Sequence, residues 1–236
     1  MIGKNWLVVV AMLFLALNFV TACGSPDNMQ LPAAESSLIT LPEPKYDSDV
    51  SVEQALLKRR SIREYTTGAL TLEEIAQLLW AAQGIMDTTG KRASPSAGGL
   101  YPLEVYVVVG KVKNVSVGVY KYRPHQHELL KVREGEQRNG LAQAALDQQC
   151  VKEGAIDIVI TAVYSRTMRK YGDRGIRYVH MEAGHAAQNV YLQAVTMNLG
   201  TVTIGAFYND KVKEVLNLPE DEEPLYIMPV GRKTTD

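Results

Sequence analysis

The chain has 236 residues, 46% of them hydrophobic, which allows one domain with a sizeable core. Its formal net charge of −1 excludes the broad cationic surface that nucleic acid requires. Twelve tyrosines stand against three phenylalanines and two tryptophans, so buried rings will need hydrogen-bond partners.

Residues 1–22 read as a signal peptide. Lys4 is the only charge before an apolar run over Leu7–Phe19, which is short for a membrane span. The run ends in Val20-Thr21-Ala22-Cys23, which resembles the lipobox of bacterial lipoproteins. The resemblance implies cleavage before Cys23, lipidation of its thiol and an exported, membrane-anchored protein; an uncleaved anchor is the other reading. Cys150 is the only other cysteine, so it is expected to be buried and inert. Residues 23–50, rich in Pro and Ser, are expected to be a linker, with the folded domain spanning 51–236.

Ser51-Val52-Glu53-Gln54 has the form of a capping box and opens a short helix, with Val52, Ala55 and Leu56 expected on its core face. That helix delivers Arg59-Arg60-Ser61-Ile62-Arg63. Arginine stays charged and grips phosphate through two hydrogen bonds at once, so the cluster reads as an anion site. A solvated basic helix end is the plainer alternative. A second capping box, Thr71-Leu72-Glu73-Glu74, starts a helix carrying Ile75, Leu78, Leu79 and Ala82, and Gly84 closes it. The small residues of Ser94-Pro95-Ser96-Ala97-Gly98-Gly99 would let backbone N–H groups approach a ligand, or form a plain loop.

Leu103–Val109 and Ile156–Tyr164 are continuous apolar runs, expected as buried strands. Val117–Arg123 and Glu128–Val132 should form a hairpin turning through residues 124–127. A helix is expected over Gly140–Gln149. His125 and His127 in the turn lack a third ligand nearby, and His180 and His185 are five apart, about 140° around a helix, so no metal site is expected. The segment 165–175 is polar and cationic. A long helix should run over Ile176–Leu199, its small residues Ala183, Gly184, Ala186 and Ala187 suiting close packing or a flat ring. A strand over Thr201–Ile204, a helix capped by Asn209 and a strand over Leu225–Val230 complete the chain, followed by Gly231-Arg232-Lys233.

Arg-Arg-Ser-x-Arg, the Ser/Pro/Gly loop, Gly184-His185-Ala186-Ala187-Gln188-Asn189 and the late Gly-Arg together resemble the nitroreductase-like flavoproteins over about 51–233. The loop and Glu182–Asn189 are most similar to the branch of dehydrogenases that oxidise azoline rings in modified peptides. The resemblance implies an α+β fold, a small, mostly antiparallel sheet flanked by helices, and an intertwined homodimer with FMN at the subunit interface. Arg59, Arg60, Ser61 and Arg63 would hold the phosphate and ribityl chain, with Arg232 completing the cage. Ser94, Pro95, Ser96 and Gly98 would come from the other subunit, and Ile204 and Gly205 would face the ring edge. Lys170 and Tyr171 would be catalytic, handling the proton that accompanies hydride transfer; a solvated basic loop is the alternative there. Arg166, Arg169 and Arg174 around Lys170 are expected to lower its basicity. The implied activity is that of an FMN-dependent oxidoreductase acting on a small-molecule or peptide-derived substrate. An NAD(P)H-driven nitro or quinone reductase and a binding lipoprotein without turnover are the rivals. Export would call for a membrane electron partner in place of a soluble nicotinamide.

Overall fold

The computed structural model describes residues 37–234. Residues 1–22 and Cys23 lie outside the described residues. Seven strands make one sheet: β1 (Leu38–Thr40), β2 (Leu103–Val109), β3 (Gly118–Arg123), β4 (Glu128–Glu134), β5 (Ile156–Ala162), β6 (Leu199–Thr201) and β7 (Glu223–Arg232). Their order is β1-β4-β3-β2-β5-β7-β6, and every neighbouring pair is antiparallel. The helices are α1 (Val52–Lys58), α2 (Leu72–Gln83), α3 (Arg138–Ala144), α4 (Gln149–Glu153), α5 (Tyr164–Tyr171), α6 (Arg174–Thr196) and α7 (Asn209–Leu216). This is the α+β class expected.

The sheet centre explains the apolar runs. β2 and β5 pair from Leu103↔Ala162 to Val109↔Ile156. Val105, Val107 and Val109 enter one core with α2 and α6, while Tyr106 and Val108 enter a second with α3, α4 and α7. Alternate residues of a strand point to opposite faces, so covering both faces makes the whole run apolar. Buried tyrosines find partners: Tyr106 donates to Glu222 Oε2 at 2.9 Å and Tyr120 to the Ser116 carbonyl at 2.8 Å.

Several expectations change. The end of the expected linker is part of the sheet: Leu38–Thr40 pairs with Leu130–Glu128, and Leu41 is buried beside it. The fold therefore includes residues well ahead of Ser51. On α1 only Ala55 is buried, whereas Val52 and Leu56 face outward. The helix expected over 140–149 is two short ones, broken where Leu146 and Asp147 take positive φ. The cationic segment after β5 is helical, as α5. Strand β6 ends at Thr201, and Ile204 contributes only an isolated bridge to Ile227. Asn209 is the first residue of α7 rather than its cap. His127 is held by the Tyr122 hydroxyl and the Pro42 carbonyl, at 2.9 Å each.

Candidate active site

α1 stops where Arg59 leaves helical geometry, at φ −55° and ψ 124°. The following residues run extended along the sheet end. Ile62 N–H donates to the Thr201 carbonyl at 2.9 Å, and Tyr65 bridges to Lys233. The arginine segment is thus stapled to β6 and the end of β7. Tyr191 on α6 is its anchor. The Ser61 hydroxyl lies 3.1 Å from the Tyr191 hydroxyl, and the Arg59 guanidinium sits 5.2 Å from the Tyr191 ring centre. Lys58, Arg60 and Lys233 line a cleft of about 140 Å³ against Tyr191. Among the described residues, none of Lys58, Arg59, Arg60, Arg63 and Lys233 is paired with a carboxylate. By contrast Arg138, Arg166, Lys121 and Lys213 all are.

Arg232 departs from its expected role. Its guanidinium forks onto Glu74, at 2.8 Å to Oε1 and 2.9 Å to Oε2, and donates to the Ala69 carbonyl at 3.2 Å. Glu74 is also the capping-box residue of α2, accepting from Thr71 N–H at 2.8 Å. Successive residues of a strand face opposite ways. It is therefore Lys233, not Arg232, that turns toward the arginine segment.

Tyr191 also reaches the expected ring-edge stretch, because its hydroxyl accepts from Thr203 N–H at 2.8 Å. Ile204 has a buried side chain, and its N–H and carbonyl are both bonded to Ile227, at 2.8 and 3.0 Å. It fixes the backbone and leaves exposed Gly205 as the presenting residue. Gly205 shares a cleft of about 240 Å³ with His180, Phe207 and Tyr226. Of the small residues on α6, Ala183, Ala186 and Ala187 are core, whereas a Cβ added to Gly184 would meet nothing within 4 Å. Gly184 lies about 20° from Tyr191 around the α6 axis. That open face, about two turns along α6 from the cations at Tyr191, fits a flat ring carrying a phosphate.

The small-residue loop sits elsewhere. Ser94 is fully buried, donating to the Ala82 carbonyl at 2.8 Å and accepting from Asn189 at 3.2 Å. Its hydroxyl locks the loop instead of facing a ligand. Ser96 accepts from Tyr101 N–H at 2.9 Å, while Pro95 and Gly98 are exposed. Gly98 has φ +66°, and a Cβ there would lie 2.7 Å from the Tyr171 hydroxyl and 3.0 Å from Lys170 Nζ. Lys170 and Tyr171 therefore travel with the loop. Arg166, expected beside Lys170, instead pairs with Glu104 and donates to the Tyr101 carbonyl at 3.1 Å. Asn189, which holds the loop, and Tyr191, which holds the arginine segment, are two residues apart on α6, about 200° around its axis. One chain thus places the two halves of the expected site on opposite sides of one helix.

Glu182 is legible in the sequence only as the first residue of the Glu182–Asn189 motif, with no role of its own. It is 2% exposed, and its Oε1 has no hydrogen-bond partner among the described residues. Burial pushes its carboxyl up to about 7, against the opposing pull of the Ser96 hydrogen bond and the Arg92 charge. Nothing local marks it, since an acid on a long helix usually faces water. Tyr191 and Lys233 were likewise legible only as members of helix and strand patterns.

The nitroreductase family model matches residues 56–232. A candidate nitroreductase of Methanocaldococcus jannaschii is 50% identical over 185 residues, covering 78% of this chain and 92% of the relative. The trifolitoxin-processing protein TfxB of Rhizobium leguminosarum bv. trifolii is 28% identical, covering 85% of this chain and 55% of its own length. The FMN reductase (NADPH) of Bacillus subtilis is 28% identical over 75% of this chain and 64% of that protein. The crystal structure of a candidate nitroreductase from Ralstonia eutropha JMP134 superposes with a TM-score of 0.74 at 30% identity, covering 87% of this chain and 94% of that one. With the α+β sheet, its flanking helices and three quarters of the sequence in agreement, the chain belongs to the nitroreductase family.

Proposed function

We propose that this nitroreductase-family oxidoreductase uses FMN and exchanges a hydride between its substrate and flavin N5. The carrying observation is the group of cations without carboxylate partners, Arg59, Arg60 and Lys233, gathered about Tyr191, whose hydroxyl accepts from Thr203 N–H beside Gly205. FMN is a phosphorylated flat ring, and when bound it supplies the two-electron chemistry that no protein side chain offers. Arg59, Ser61, Arg63 and Lys233 would hold its phosphate and ribityl chain. Gly184 would leave room for its ring, and Gly205 would face the ring's edge. The small-residue loop, with Lys170 and Tyr171 against Gly98, would then be contributed by a second subunit; its place across α6 from the arginine segment supports this. A homodimer would also cover the exposed Val52, Leu56 and Leu57 of α1.

In this reading Lys170 and Tyr171 exchange the proton that accompanies hydride transfer. Similarity to a trifolitoxin-processing protein supports a substrate of azoline type in a modified peptide. Similarity to an NADPH-linked FMN reductase supports a second reading, a nicotinamide-driven reductase of nitro or quinone compounds. The lipobox-like sequence supports an exported protein tethered through Cys23, with electrons passing to or from a membrane partner. A binding lipoprotein without turnover is the rival of a different class.

The test is the visible spectrum of the protein purified from residue 24 onward, with released cofactor identified by mass. FMN release is expected, and Arg59→Ala or Arg63→Ala should each weaken FMN retention tenfold or more, the loss of one charge-assisted hydrogen bond of about 1.5–3 kcal/mol. A colourless protein that takes up no FMN refutes the reading. Anaerobic bleaching by NADPH would favour the reductase; a bound flavin that no donor bleaches and that never turns over would favour the binding lipoprotein.

A further inference from the structure

Lys170 and Tyr171 lie against the loop at Gly98 and do not line the cleft at Gly205. The imidazole that does line it is His180. Its Nε2 is 2.6 Å from the Tyr164 hydroxyl, and the two rings meet edge-on with centres 5.6 Å apart. Tyr164 is the first residue of α5 and His180 lies two turns into α6, so the contact ties these helices together at the mouth of the cleft. With Nε2 engaged, Nδ1 has no hydrogen-bond partner among the described residues, and the ring is exposed. The remaining walls are Ala183, Phe207, Pro224, Leu225 and Tyr226, apolar or aromatic, and Asn209, whose side-chain amide donates to Glu223 Oε2 at 3.3 Å. At about 240 Å³ the space is smaller than a pocket for a drug-sized ligand, roughly 300–1,000 Å³, and suits a single ring.

We propose that this cleft seats the reacting ring of the substrate, a single planar ring bearing a carbonyl or imine, and that His180 exchanges the proton that balances the hydride. The proposal rests on the oxidoreductase reading above and adds the substrate class and the acid. In the reducing direction, with a para-quinone as substrate, FMN when bound would supply the hydride, with its electron pair, to one quinone oxygen. The proton on His180 Nδ1 passes to the other oxygen, hydroquinone leaves, and the imidazole regains a proton from solvent. In the oxidising direction the same imidazole accepts the proton. Tyr164 positions the ring by holding Nε2, so that Nδ1 is the nitrogen that turns over. The charged and titratable groups around the pair are the Glu223 carboxylate, whose charge reaches Tyr164, Lys213, which pairs with Glu223 at 2.8 Å, and Arg177 one turn back on α6.

The experiment uses the FMN-loaded protein, wild type, His180→Asn and Tyr164→Phe. Flavin reduced with dithionite is mixed anaerobically with 1,4-benzoquinone, and reoxidation is followed from pH 5 to 9. Binding of 4-hydroxybenzaldehyde, an unreactive single-ring carbonyl, is read separately from the oxidised flavin spectrum. His180→Asn is expected to keep its flavin, slow reoxidation at least tenfold and lose the pH inflection of the wild type. Its affinity for the aldehyde should also fall. Tyr164→Phe should shift that inflection with a smaller loss of rate. A yellow His180→Asn protein with wild-type rate, pH profile and aldehyde affinity overturns this proposal alone. A colourless wild type overturns it together with the oxidoreductase reading.

Discussion

Glu182→Gln should change how stability depends on pH. In the folded chain, burial beneath the Ser96 loop raises the Glu182 carboxyl from its ordinary 4.5 to about 7. Below about pH 4.5 the group is protonated whether folded or unfolded, and burial carries no penalty. Between there and about pH 7 the unfolded chain releases the proton while the folded chain keeps it. The folded state then binds more protons, so stability falls as pH rises, and the loss is complete above about pH 7. Two and a half pH units at 1.36 kcal/mol each give a ceiling of about 3 kcal/mol. Water reaching the carboxyl would lower it.

Glutamine removes this dependence, whatever constant offset its own amide adds by lacking a partner. Urea unfolding at several pH values between 5 and 8 measures it, wild type against variant, so that all other titrating groups cancel. The expected result is a difference in favour of Glu182→Gln that grows with pH, by up to about 3 kcal/mol. For a domain of this size each kcal/mol is about 2–4 °C in Tm, so thermal melts report it too. A difference that stays constant across pH would show that Glu182 titrates normally and that its burial is not what the structure shows.

Tyr191→Phe keeps the ring under Arg59 but leaves the Thr203 N–H without its acceptor, which should cost about 1–3 kcal/mol of stability, nearer the low end because Thr203 is only half-buried; an unchanged urea midpoint would count against the hub. Arg232→Ala and Lys233→Ala should separate structure from binding. The first breaks the fork onto Glu74 and lowers Tm with FMN retention within threefold, while the second leaves Tm and weakens FMN retention about tenfold, measured by ultrafiltration. The reverse pattern would restore Arg232 to the phosphate cage.

Features written in contiguous residues were legible in the sequence. The runs Leu103–Val109 and Ile156–Tyr164 named the two central strands, the second ending at Ala162, because a strand covered on both faces is apolar throughout. Thr71-x-x-Glu74 named the start of α2 because a capping box closes within four residues. The arginine segment was legible as a contiguous cationic cluster, a candidate anion site. β1 was missed because three residues with one half-buried side chain, followed by prolines, carry no period. α5 was missed because its polar surface looks like loop until its packing against α6 is seen.

Sequence by itself determined the family, the central sheet and the cationic segment, since each depends on local pattern or on a motif of adjacent residues. Tertiary structure alone decided which cations are free and which are spent. Arg232 and Lys233 are neighbours of like charge, yet strand geometry sends one to Glu74 and the other toward Arg60. It also decided that the loop and the arginine segment flank opposite sides of α6, and that His180 rather than Lys170 stands beside Gly205. Those outcomes depend on which residues distant in the chain come to share a wall, and burial and charge pairing are set only when they meet.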